Sequence, residues 1–116
     1  MTEEQNNQVR QEINKAINFL GQNKFHEAEN TCLKIINAGE NADAYHILSS
    51  IKIYQQEFED SIKYVKKSIE INDKNPGYHV TLGCAYSAKK DYDNSVTAFK
   101  SAIKINNRIA QVHFYL

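Results

Sequence analysis

The side chains best equipped for chemistry in this 116-residue chain are four histidines, two cysteines and a scatter of serines. His46, His79 and His113 recur close to one register, and stacked imidazoles are one way to hold a metal. His79 and His113, however, fall where a side chain packs against the neighbouring helix, and a satisfied structural histidine is the commoner occupant of such a place. Cys84 has no histidine at hydrogen-bonding spacing within its own segment, so nothing nearby in sequence activates its thiol. Ser49, Ser50, Ser61 and Ser95 read as small residues at crossings rather than nucleophiles. There is no glycine-rich phosphate loop and no pair of carboxylates on an apolar wall. The chain therefore reads as non-enzymatic, with no cofactor and no metal.

The elements that position these side chains follow from composition and spacing. Fourteen basic and fourteen acidic residues cancel, and a pI near 6.9 argues against nucleic acid, since phosphate binding needs surplus Lys and Arg on one face. A hydrophobic fraction of 41% with 24% charged residues belongs to a globular chain of one domain. Four Gly and one Pro leave little room for turn-rich β architecture, so the fold is expected to be helical. No stretch approaches the roughly 20 apolar residues of a membrane span. Met1 to Arg10 is polar and lacks the apolar segment of a secretory signal. Cys32 and Cys84 lie in apolar-periodic segments. Without an export signal they are expected as reduced, buried thiols in a cytoplasmic protein.

The chain repeats itself. A shift of 34 residues lays Tyr45, Leu48, Ser49, Phe58, Ser61 and Ile69 onto His79, Leu82, Gly83, Tyr92, Ser95 and Ile103. A shift of 33 lays Phe25, Ala28, Cys32 and Ile36 onto Phe58, Ser61, Val65 and Ile69. Such a period marks a repeat architecture. Apolar residues within each unit recur at three and four positions, one face of a helix, with a polar break between two such runs. Unit one reads as helices over Val9 to Leu20 and Phe25 to Ala38, broken at Gly21-Gln22-Asn23. Unit two reads as Ala42 to Tyr54 and Phe58 to Ile71, broken at Gln55-Gln56-Glu57. In unit three Pro76 suits a first helical turn, and Asp91 or Asp93 is available to cap the second helix. Asn106-Asn107 is expected to end that helix in the left-handed conformation asparagine tolerates. The small residues Ala16, Ser49 and Gly83 should face Ala28, Ser61 and Ser95 where paired helices cross. A Leu at Gly83 would overpack that crossing by about 1–3 kcal/mol.

Unit three, with His79-x2-Leu82-Gly83-x2-Tyr86 and then Ser95-x3-Phe99, resembles the tetratricopeptide repeat signature W-x2-L-G-x2-Y followed by A-x3-F. His79 replaces the Trp, Ser95 the Ala, and Asn107 stands at the signature Pro. Unit two is looser, with Lys52 for the aromatic and Val65 for the Phe; unit one is looser still. The resemblance implies an all-α, right-handed solenoid of antiparallel helix pairs. Residues 1–8 would be a polar arm, 9–41, 42–75 and 76–109 three units, and 110–116 the start of a fourth. It also implies a concave groove lined by the first helix of each unit and a role in binding proteins or peptides. In the subfamily that grips the C-terminal carboxylate of chaperones, the gripping positions correspond here to Ile13, Ile17, Ile47, Gly77 and Thr81, none of which can do that work. The asparagine ladder of glycosyltransferase superhelices is represented by Asn14 alone.

By the same register the groove should display Ile13, Ile17, Ile47, Ser50, Val80, Cys84 and Ser87, with Phe114 and Tyr115 next. Such a floor suits an apolar helix or peptide better than an acidic tail. Lys63, Lys66, Lys67 and Glu70 read as the solvated convex face. In the tail, Ala110, His113 and Leu116 fall at the positions of Pro76, His79 and Leu82, so a fourth unit begins and stops. The leading expectation is a scaffold or adaptor that binds a protein or peptide through an apolar groove, with no nucleic acid and no membrane insertion. The alternatives are a protein that self-assembles through its unfinished end and the N-terminal recognition segment of a longer enzyme.

Overall fold

The structure, a computed structural model, describes residues 2–106. Among them are six α-helices and no strand: α1 (Glu3–Gly21), α2 (Phe25–Ala38), α3 (Ala42–Tyr54), α4 (Phe58–Ile71), α5 (Pro76–Ala88) and α6 (Tyr92–Ile105). They form three antiparallel pairs. Each second helix also packs on the first helix of the next pair, and α3 touches both α1 and α5. The second helices share at most glancing contact with one another. First helices therefore form an inner layer, and the row of pairs bends around them.

The starts of these helices have local causes. Asn41 Oδ1 accepts from the Ala44 N–H at 2.9 Å, and Asn75 Oδ1 from the Gly77 N–H at 2.9 Å, with Pro76 in the first turn. Asp91, not Asp93, caps α6. The first helix begins six residues before Val9, so the expected arm is helical from Glu3 onward. A capping box causes this: Gln5 N–H reaches Thr2 Oγ1 at 3.1 Å, and Thr2 N–H reaches Gln5 Oε1 at 2.9 Å. Glu3 and Glu4 also favour the positive end of the helix.

The ends differ from expectation. Asn106 is extended, at φ −144°, as is its counterpart Asn72 at φ −147°. The left-handed residues instead close the first helices: Asn23, Gln56 and Lys90, at φ 60°, 62° and 67°. Behind each, an N–H returns to a carbonyl five residues earlier. These bonds run from Lys24 to Phe19, Glu57 to Lys52 and Asp91 to Tyr86, at 2.8, 2.8 and 2.9 Å. This closure satisfies free helix-end carbonyls and reverses the chain tightly. A second helix, by contrast, must hand the chain to the next unit, which an extended residue does.

The crossings are built as the small residues required. Ala16 and Ala28 are fully buried in one cluster with Cys32, Leu48 and Ile51. Ser49 Oγ donates to the Ser61 carbonyl at 2.8 Å, and the two hydroxyls lie 2.8 Å apart. Ser95 Oγ donates to the Gly83 carbonyl at 2.9 Å. A buried hydroxyl bonded to the facing backbone costs little to bury and holds the two axes close. At Gly83 an added Cβ would lie 2.6 Å from the Phe99 ring, so the aromatic fills the space that the glycine vacates. Lys52, where the signature has an aromatic, is paired with Glu57 at 3.3 Å and Glu29 at 3.7 Å.

Candidate functional site

The inner layer of α1, α3 and α5 is the surface on which the groove residues were expected, and it is less open than the register suggests. Ile17 is 49% exposed. Ser50, Val80, Cys84 and Ser87 are half-buried. Ile13 and Ile47 are 8% and 7% exposed and belong to the buried cluster with Ala16, Leu48 and Ile51. They are core, because adjacent first helices approach closely enough to cover them. Val80 and Cys84 also pack on Phe99 and Ala102 of α6. Phe114, Tyr115, His113, Asn107 and the 110–116 segment lie outside the described residues.

The left-handed residues give a structural ruler, being 33 and 34 residues apart. Ile13 stands ten residues before Asn23, and His46 ten before Gln56; Ile47 and Thr81 each stand nine before theirs. What Ile13 and Ile47 do with apolar surface between units one and two, His46 and Thr81 do with a hydrogen bond between units two and three. His46 Nε2 lies 2.7 Å from Thr81 Oγ1, and its ring meets the edge of Tyr78 at 4.9 Å. The Tyr78 hydroxyl donates to Asp43 Oδ1 at 2.8 Å. Burial pushes the His46 pKa below its ordinary value, with Asp43 partly opposing. Burial, reinforced by the bond to Asp43, pushes Tyr78 up to about 12. Reading the sequence missed this seam. Its signal is two polar pairs at the repeat length plus one residue.

The other reactive side chains are occupied or masked. His79 Nε2 lies 3.1 Å from the Asp73 carbonyl oxygen. No group of three or more possible metal ligands occurs among the described residues. Both cysteines are free. Burial pushes the Cys32 thiol up to about 12, with Glu29 adding to it, and also raises Cys84, the opposite of what a nucleophile needs. On the outer side, Lys66 and Lys67 are not simply solvated; their Nζ atoms lie 5.8 Å and 5.7 Å from the ring centres of Tyr86 and Tyr45.

The sequence profile of the tetratricopeptide repeat matches residues 42–75 and 76–109, more than half of the chain. The chain belongs to the tetratricopeptide repeat family. No protein with a curated description matches the sequence. Among solved structures, MamA superposes with a TM-score of 0.86 at 18% identity, over 92% of this chain and 63% of that one. The O-GlcNAc transferase of Thermobaculum terrenum, as its K341M mutant, gives 0.90 at 15% identity, over 97% of this chain and 22% of that one. The present tetratricopeptide repeat chain thus spans less than two thirds of either. PcrH, solved with the chaperone binding region of PopB, gives 0.87 at 13% identity, over 100% of this chain and 98% of that one. At these identities the likeness is one of fold. No helix among the described residues is long and apolar enough to cross a membrane.

Proposed function

We propose that this chain is a non-catalytic protein-interaction module that takes an apolar helix or peptide along the inner face of α1, α3 and α5. The observation that carries the reading is Ile17, an isoleucine 49% exposed on that face, in line with the half-buried Ser50, Val80, Cys84 and Ser87. A large apolar side chain held open on a preformed concave surface suits an amphipathic segment. The carboxylate-gripping positions support an apolar partner over an acidic tail: Ile13 and Ile47 are core, Gly77 carries no side chain, and Thr81 is already bonded to His46. That PcrH holds part of another protein on the same fold favours this class of function.

The test is capture of partners from source lysate by wild type and by Ile17→Glu/Ser50→Glu, both of which leave the core intact. The proposal expects one foreign protein with wild type and its loss with the variant. Equal recovery by both would sink it.

A second reading, self-assembly through the C-terminal end of the repeat array, draws on one comparison. Val96 is 36% exposed, whereas Ile62, its counterpart on α4, is 7% exposed beneath α5. Light scattering separates the two, because self-assembly gives a mass above 13.3 kDa that rises with concentration. A role as the recognition segment of a longer enzyme is the third, resting on the short stretch of the transferase that this chain matches.

A further inference from the structure

Unit one has a cavity beside the place where unit two has a ring, between the first turns of α1 and the end of α2. Eleven residues before the left-handed residue stand Glu12, Tyr45 and His79 in the three units. In unit two, Tyr45 is buried between α3 and α4, its ring stacked on Tyr64 at 6.3 Å with the Lys67 ammonium 5.7 Å from its centre. In unit one the tyrosine's place is taken by Glu12, and that of Tyr64 by the smaller Thr31. A cavity of about 480 Å³ lies between α1 and α2, lined by Gln5, Gln8, Val9, Glu12, Lys34, Ile35 and Ala38. Lys34, Ile35 and Ala38 are the counterparts of Lys67, Ser68 and Ile71. The cation that covers Tyr45 in unit two is therefore conserved in position beside an empty space in unit one.

We infer that this cavity receives the aromatic side chain of a partner polypeptide, with tyrosine as the best fit. The ring would lie on Val9, Ile35 and Ala38 and place its face toward the Lys34 ammonium, reproducing in trans what Tyr45 does in cis. The volume is in the range of sites that hold small rings. The rim identifies the source as a chain rather than a free aromatic. Because α1 continues to Glu3, Gln5 and Gln8, about one helical turn apart, line the cavity with amides that can donate to and accept from a peptide backbone. Glu12 can accept the tyrosine hydroxyl. This site is separate from the inner face of α1, α3 and α5, and either can fail without the other.

The experiment titrates isotope-labelled protein with Ac-Gly-Gly-Tyr-Gly-Gly-NH2, its Leu counterpart and p-cresol, following the amide signals of Val9, Ile35 and Ala38. The expected result is saturable shifts with the Tyr peptide and binding at least about tenfold weaker with the Leu peptide, the penalty for losing ring and cation contacts. Lys34→Gln should weaken the Tyr peptide several-fold. Glu12→Tyr should fill the cavity from within, raise the thermal midpoint by several degrees and abolish binding. Equal binding of the Tyr and Leu peptides, undiminished binding to Glu12→Tyr, or a lowered midpoint for that variant would overturn the inference. Tighter binding of p-cresol than of the peptide would overturn its assignment to a polypeptide.

Discussion

The imidazole of His46 and the hydroxyl of Thr81, 35 residues apart in sequence, lie 2.7 Å from each other and join the inner helices of units two and three. A protonated His46 would be poorly placed there. It is half-buried, and the groups facing it are Thr81 and the Tyr78 ring from α5 and Asp43 one turn back on α3. Only Asp43 favours the charge, and Tyr78 already donates to it.

Acid should therefore loosen this junction. Above the unfolded pKa of about 6.5, both states hold neutral imidazole and its contribution to stability is full. As pH falls below that, the unfolded chain takes up a proton that folded His46 resists, and stability drops until the lower folded pKa is passed. Urea midpoints at pH 7.5 and pH 5 should show a smaller drop for His46→Gln than for wild type. An equal drop in both would assign the acid sensitivity elsewhere.

Gly83 and Phe99 form a matched pair, so even the smallest side chain should be felt. Gly83→Ala places a Cβ 2.6 Å from the ring, and overpacking of this kind costs about 1–3 kcal/mol. Phe99→Leu alone should also destabilise, but the double variant should recover part of the loss. Chemical denaturation of the four proteins measures the coupling, and strictly additive losses would refute a direct clash.

The turns offer the opposite change. Gln56 and Lys90 hold left-handed backbone without being glycine, a conformation that costs an ordinary L-residue roughly 1–2 kcal/mol. Lys90→Gly relieves this cost, less glycine's own loss of backbone freedom, and should raise stability by about 0.5–1 kcal/mol. Asn72→Gly, at an extended residue, should lower it. Thermal midpoints of the two variants moving in the same direction would contradict the roles assigned to these ends.

The helices α2 to α6 were legible because each carries an apolar face of three- and four-residue spacing between polar breaks. The first two turns of α1 were not, because residues 3–8 are polar on every side and form through a capping box that periodicity does not register. Asparagine's tolerance of left-handed backbone pointed to Asn106, yet the tight reversal lies within each unit and uses Asn23, Gln56 and Lys90. Ile13 and Ile47 share the groove register with Ile17, and only the distance between neighbouring first helices separates core from surface. The Asp43–Tyr78 and His46–Thr81 bonds were hidden for the same reason, since they depend on how one unit is set against the next. Glu12 stands where the signature has an aromatic, but unit one matches that signature too loosely for the sequence to single it out, and the cavity beside it needed the structure.

The most direct measurement of the central claim places a benzophenone photocrosslinker at position 17 on the inner face and, separately, at position 33, where Leu33 is exposed on the second helix α2. After irradiation in source lysate, the expected result is a single foreign protein joined through position 17 and not through position 33. Crosslinking through position 33 alone, or only to further copies of this chain from both positions, would contradict a partner-binding inner face.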